Sequence, residues 1–181
     1  MLIYQAGSLK LSQCMLSIGS FDGVHLGHQS VIRQMVERSR VEGIPSVVYT
    51  FDPPPRVYFK SAQQLTTIDE KAKRIRRLGV DYLIVASFTT DYLNSSVMDF
   101  IHDIQRLNPF KVVVGSDFRF GKNRSGGLED LRAHFPVHIV QSVCCKEGEI
   151  ISSTRIRELL SKGDFLKAYT LLNGAKIEGH I

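Results

Sequence analysis

The chain has 181 residues, with 23 lysines and arginines against 18 aspartates and glutamates, a formal net charge of +5. That length suits one α/β domain, and the positive surplus suits anionic ligands such as nucleotides, although in itself it would equally suit nucleic acid or an acidic membrane. Gln5, Gly7, Ser8, Lys10 and Gln13 interrupt the N-terminus, which excludes a signal peptide or membrane span, and Cys14, Cys144 and Cys145 form no C-x-x-C pair and have no histidines at zinc spacing.

The first strand-like run is 15–18, and helical periodicity begins after His28, with Val31, Ile32, Met35 and Val36 on one face. Between them lies Gly19-Ser20-Phe21-Asp22-Gly23-Val24-His25-Leu26-Gly27-His28. Glycines in a strand-to-helix turn let the backbone approach an anion, which the free N–H groups and dipole of the helix start attract. His25 and His28 bracket Gly27 and add side-chain donors at the same place, although such a pair also fits simple helix capping. The spacing is neither G-x-G-x-x-G nor G-x-x-x-x-G-K-[ST], and the glycines 121 and 126 lack the Lys and Ser/Thr of a P-loop because Gly127 and Leu128 follow. Asp22 reads as turn chemistry.

Further strand-like runs are 46–51, 82–88, 111–114 and 137–143, and helix-like runs are 29–41, 68–78, 97–107 and 128–135. Thr67 with Glu70, and Ser96 with Asp99, mark helix starts, while Gly43 and Gly79 mark ends. The basic run from Lys71 to Arg77 reads as the solvated face of a helix rather than as an RNA-binding stripe. Strands alternating with helices, with apolar runs such as 112–114, predict an α/β fold: a doubly wound parallel sheet of Rossmann-like type. Ligands then bind beyond the carboxyl ends of the strands. One loop in such a place, 115–127, carries Phe118 and Phe120 around Arg119 and could cover a flat ring and its phosphate, or fold its aromatics into the core.

Near the end, Ile151-Ser152-Ser153-Thr154-Arg155-Ile156-Arg157 opens a short amphipathic helix. Consecutive hydroxyls suit a helix start, where they cap N–H groups or face a ligand, and Arg157 one turn in could fork across phosphate oxygens. A last helix, 165–172, is capped by Asp164 and stopped by Asn173-Gly174.

With both segments in hand, the chain resembles the HxGH nucleotidyltransferase superfamily, and more narrowly the FMN adenylyltransferase module of the bacterial bifunctional riboflavin kinase/FAD synthetase family. The resemblance also takes in Thr50-Phe51-Asp52-Pro53, Leu65-Thr66-Thr67, Leu78-Gly79-Val80-Asp81-Tyr82 and Val114-Gly115-Ser116-Asp117-Phe118-Arg119-Phe120-Gly121. It implies transfer of AMP from ATP to FMN, giving FAD and pyrophosphate, with Mg²⁺ carried by the nucleotide. It implies that His25, His28, Ser152, Ser153, Thr154 and Arg157 act on the phosphates. Gly19, Ser20, Phe21 and Gly23 would shape the ATP pocket, and Asp52, Pro53, Asp117, Phe118 and Arg119 would line the flavin side. Pro54 stands where many members have histidine, and Asp117 where many have asparagine. Residues 1–174 are expected to be the adenylyltransferase domain, and 175–181 resemble the opening of a riboflavin kinase domain that is otherwise missing, so no riboflavin phosphorylation is expected. A cytoplasmic protein with nucleotide partners, no nucleic acid and no membrane is expected, its homo-oligomeric state open. The alternatives are a related nucleotidyltransferase with another phosphate substrate and a weakly active flavin-nucleotide binding protein.

Overall fold

Six strands, β1 (Leu2–Gln5), β2 (Cys14–Ile18), β3 (Ser46–Asp52), β4 (Tyr82–Ser87), β5 (Pro109–Gly115) and β6 (Val137–Val140), form one sheet in the computed structural model. The structure describes residues 1–59 and 62–174. The strand order is β1-β4-β3-β2-β5-β6 and every pairing is parallel, as the alternating pattern predicts. The chain steps outward from β2 through β3 to β4, then returns to place β5 on the other side of β2. That reversal opens a crevice beyond the carboxyl ends of β2 and β5, where a ligand can enter between diverging connections.

All five residues of β2 are buried, so the strand contributes to both faces of the sheet. On one face Leu16, Ile18, Val47, Tyr49 and Val112 pack with Phe100, Ile101 and Ile104 of α5 (Val97–Gln105). On the other, Met15, Val48, Leu83 and Val113 meet Ile32 and Met35 of α1 (Leu26–Glu42) and Ile75 of α3 (Ile68–Arg76). Alternate residues of a strand point to opposite faces, so near-continuous apolar strands need this double cover. Cys14 is a wholly buried core thiol whose pKa burial pushes up to about 12.

Short helices α2 (Pro55–Tyr58) and α4 (Thr90–Asn94) follow β3 and β4, and α6 (Leu128–Arg132) precedes β6. The last helices, α7 (Ser153–Ser161) and α8 (Phe165–Asn173), form a separate apolar unit in which Ile156, Ala168 and Leu171 pack with Leu26 at the start of α1. This unit fixes the hydroxyl-rich tip of α7 against the first turn.

The structure adds to the sequence pattern at one point, corrects it at a second and decides an open alternative at a third. Residues 2–5, unassigned by pattern, form β1, an edge strand with too few buried side chains to leave an alternating signature. The predicted solvated face of 71–77 is wrong at its first residue: Lys71 is 0% exposed and belongs to the buried face of α3 with Ala72 and Ile75. Of the two readings left open for the aromatics of 115–127, Phe120 takes the core one: it is buried with its ring centroid 4.9 Å from that of Phe100. The expected kinase-like opening, 175–181, lies outside the described residues.

Candidate active site

A cavity of about 320 Å³ occupies the crevice at the strand-order reversal. Its walls come from the turn after β2, the start of α2, the loop after β5 and the approach to α7. The two segments that sequence pairs across 120 residues of chain therefore face one another: Gly19, Ser20, Phe21, His25 and His28 line it together with Ser152, Ser153, Thr154 and Arg157.

The first wall is tightly specified. His25 is the N-cap of α1, three residues earlier than periodicity suggests, and its Nδ1 accepts from the His28 main-chain N–H at 3.3 Å. The proton of a neutral His25 then sits on Nε2, leaving that nitrogen as a donor. The two imidazoles stack with centroids 3.6 Å apart, and Phe21 meets His28 edge-on at 5.3 Å. Burial lowers the His25 pKa to about 4, helped by the Arg157 charge, and burial with the charges of His25 and Lys71 pushes His28 well below its ordinary value. Both rings are neutral at pH 7.

Gly27 sits at a close approach. A Cβ there would lie 3.1 Å from the His25 ring and 3.2 Å from the Ile151 carbonyl oxygen, so the turn and the approach to α7 pack backbone to backbone. Phe21 and Val24 hold φ of 45° and 43°, a region that costs a β-branched residue free energy.

Asp22 supplies what holds this turn, and its reading as simple turn chemistry is corrected. Its carboxylate is 2% exposed, accepts from the Leu65 and Thr66 main-chain N–H groups, and forms an ion pair with Arg157 Nη2 at 2.5 Å. The Asp22 main-chain oxygen accepts from Ser153 Oγ at 2.9 Å, and Gly23 N–H donates to Thr66 Oγ1. One residue thus ties the turn to the loop before α3 and to α7. Its partners lie 43 and 135 positions away, so no local pattern betrays the role.

Arg157 is correspondingly engaged, with Nε donating to the Gln63 carbonyl and Nη2 to Asp22, while Nη1 is buried without a partner among the described residues. Ser152 caps α7 by accepting from Arg155 N–H at 3.2 Å. Thr154 Oγ1 accepts from Arg56 Nη1 at 2.6 Å, bridging α7 to α2 across the mouth.

The opposite wall comes from the loop after β5 and the start of α2. Asp117, Phe118 and Arg119 line it, but Asp52 and Pro53 do not; Phe51, Pro54, Pro55 and Arg56 take that place. Gly23 also stays out of the lining, its role being the turn itself. Sequence reasoning missed Arg56, Gln141 and Ser142 as wall residues. Arg56 follows a proline run at a strand end, and that was the signal available for it. Among the described residues the grouping able to hold a metal ion is Cys145, Glu147 and Glu149, none of which lines this cavity.

A parallel sheet with a donor-lined crevice at its strand-order reversal, framed by a histidine turn and a hydroxyl-tipped helix, has the form of a nucleotidyltransferase-type domain. A family model for FAD synthetase matches residues 8–155, and the chain belongs to that family. It is 52% identical to a Geobacillus thermodenitrificans protein named "Putative bifunctional riboflavin kinase/FMN adenylyltransferase", over 91% of this chain and 92% of that protein. It is 36% identical to the bifunctional riboflavin kinase/FMN adenylyltransferase of Listeria monocytogenes, over 87% of this chain and 53% of that one, so it spans about half of the longer relative. The crystal structure of a macrolide-efflux protein from Streptococcus pneumoniae superposes with a TM-score of 0.81 at 28% identity, over 95% of this chain and 59% of that one. No helix among the described residues is long and apolar enough to cross a membrane.

Proposed function

We propose that this chain transfers the adenylyl group of ATP to FMN, giving FAD and pyrophosphate, with residues 1–174 as the catalytic module. The observation that carries the reading is the shared cavity, in which the neutral histidines and the α7 tip converge at the strand-order reversal. A phosphate oxygen of FMN attacks the α-phosphorus of ATP, forming a new P–O bond as the bond to the β-phosphate oxygen breaks and pyrophosphate leaves with the electron pair. A phosphomonoester has a second pKa of about 6, so the attacking group is already mostly dianionic at neutral pH and needs no general base. The obstacle is charge on the equatorial oxygens and on the leaving group, which fixed donors relieve without reorganising.

His25 Nε2–H and the His28 imidazole donate at the α-phosphate, and their neutrality is compatible with this because a donor, not a cation, is needed. Ser152, Ser153, Thr154 and the unpartnered Arg157 Nη1 take the β and γ phosphates. Mg²⁺ arrives with ATP, which suits a cavity wall whose Asp22 carboxylate is already committed to Arg157. Phe118, Arg119 and Asp117 face FMN, with Phe51 and Pro54 in place of Asp52 and Pro53. A cytoplasmic setting belongs to the same reading, supported by the nucleotide substrates and by the free thiols of Cys14, Cys144 and Cys145.

The test is pyrophosphate release from ATP with and without FMN, together with chromatographic detection of FAD. Release that requires FMN supports the proposal, and His28→Ala then lowers turnover by about a hundredfold while the circular dichroism spectrum is retained. Release with nicotinamide mononucleotide instead of FMN would move the chain to another nucleotidyltransferase activity. Tight FMN binding without release would make it a flavin-nucleotide binding protein.

A further inference from the structure

Lys71 is a buried cation that the reaction just described does not use. It is 0% exposed, although it opens a run of basic residues. Its Nζ donates to the Ser20 carbonyl at 2.9 Å, to the Phe51 carbonyl at 3.0 Å and to Thr50 Oγ1 at 3.3 Å. Thr50 Oγ1 in turn donates to the same Ser20 carbonyl at 3.0 Å. All three hydrogen-bond partners are neutral oxygens. An ammonium group taken out of water is costly, and a fold keeps one where its three donors have a task that an apolar side chain cannot perform.

The partners define the task. Ser20 belongs to the turn that carries His25 and His28, Phe51 to the end of β3 that leads into the opposite wall, and both residues line the cavity. We propose that Lys71 is a positioning residue of the active site: its ammonium clamps the Ser20 and Phe51 carbonyls together, fixing the separation of the nucleotide wall from the flavin wall and placing a positive charge behind His28. The proposal rests on the adenylyl-transfer reading for what the two walls hold, but the clamp itself is a property of the chain.

Three charged or titratable groups bear on Lys71: Asp22 in the turn, Asp52 at the end of β3 and His28 in α1. The carboxylates favour its charged form and burial opposes it more strongly, bringing its pKa down to about 8. A clamp whose charge is lost near that pH gives the proposal a signature that a plain packing residue lacks.

The test uses the full chain with two readouts. In the first, the carbonyl-carbon NMR signals of Ser20 and Phe51 are followed between roughly pH 6.5 and 9.5, a window around the lowered lysine pKa. In the native protein both signals move together with a midpoint near 8, and in Lys71→Met neither does. In the second, pyrophosphate release shows Lys71→Met lowering kcat about tenfold to thirtyfold, with KM for ATP changed by less than about threefold. Lys71→Gln keeps a donor without the charge and recovers part of the loss, and it carries the test if Lys71→Met does not fold. A folded variant with native kcat, or carbonyl signals indifferent to the lysine, overturns the proposal. Failure of both variants to fold also overturns it, by assigning Lys71 to stability alone. If the native chain makes no FAD, the adenylyl-transfer reading falls while the NMR titration still decides the clamp.

Discussion

The two walls of the cavity are built by different physics. The wall formed by the turn after β2 and the tip of α7 is held by buried polar groups with long-range partners: Asp22 with Arg157 and the Leu65–Thr66 backbone, Ser153 with the Asp22 carbonyl, and Gly27 against Ile151. The wall formed by the ends of β3 and β5 is aromatic and basic at its surface, with Phe118 partly exposed and Phe120 withdrawn into the core. A triphosphate needs donors fixed before it arrives, because hydrogen bonds to developing charge stabilise it most when nothing has to move. A flat ring is held by contact area and tolerates a softer surface. On the proposed reading, the wall assigned to the more highly charged ligand is the one strapped by buried polar groups with distant partners.

Breaking the rigid wall has the largest expected effect. Asp22→Ala strands the Arg157 guanidinium and two main-chain N–H groups, and urea unfolding should show a loss of about 3–5 kcal/mol. Asp22→Asn, which keeps the acceptor oxygen, loses less. A native-like unfolding midpoint in Asp22→Ala would remove the ion pair as the strap of this wall.

The same wall carries a pH dependence. His25 is held near a pKa of about 4, below the ordinary 6.5, so between those values the unfolded chain binds a proton that the folded chain refuses. Stability is therefore intact above pH 6.5 and is lost as pH falls towards 4, by about 2 kcal/mol from this group between pH 7 and 4.5. Urea titrations at the two pH values check this, and His25→Gln should flatten the difference by that amount. Equal slopes in both proteins would mean that the imidazole titrates normally.

The softer wall gives the smallest effect. Phe118→Ala removes contact area without touching the strapped turn, so KM for FMN rises roughly fivefold to tenfold while KM for ATP and the unfolding midpoint stay put. An equal rise in both KM values would show that the walls are not separable.

Much of the wall formed by the turn after β2 and the tip of α7 was legible in sequence because His25, His28 and the hydroxyls of 152–154 sit in contiguous runs at the starts of helices, where side chains that cap N–H groups also come to line the crevice. The parallel sheet was legible for a similar reason, since β2, β3 and β5 are apolar enough to demand cover on both faces. What escaped was long-range. Asp22 looks like any turn aspartate until Arg157 is placed beside it. Lys71 was hidden by its basic neighbours, although Ile68, Lys71, Ala72 and Ile75 follow the i, i+3, i+4, i+7 stripe that marks a buried helix face. Asp52 and Pro53 do not border the cavity, which Phe51 and Pro54 on either side of them reach instead.

The most direct test of the central claim is a crystal structure with α,β-methylene-ATP, an analogue whose carbon bridge cannot be cleaved between the α and β phosphates. The triphosphate should lie between the His25 and His28 rings and the Ser152–Thr154 tip of α7, with Arg157 Nη1 donating to it. A triphosphate bound anywhere else, or one that leaves either group without contact, would contradict the claim that these two segments form one catalytic centre.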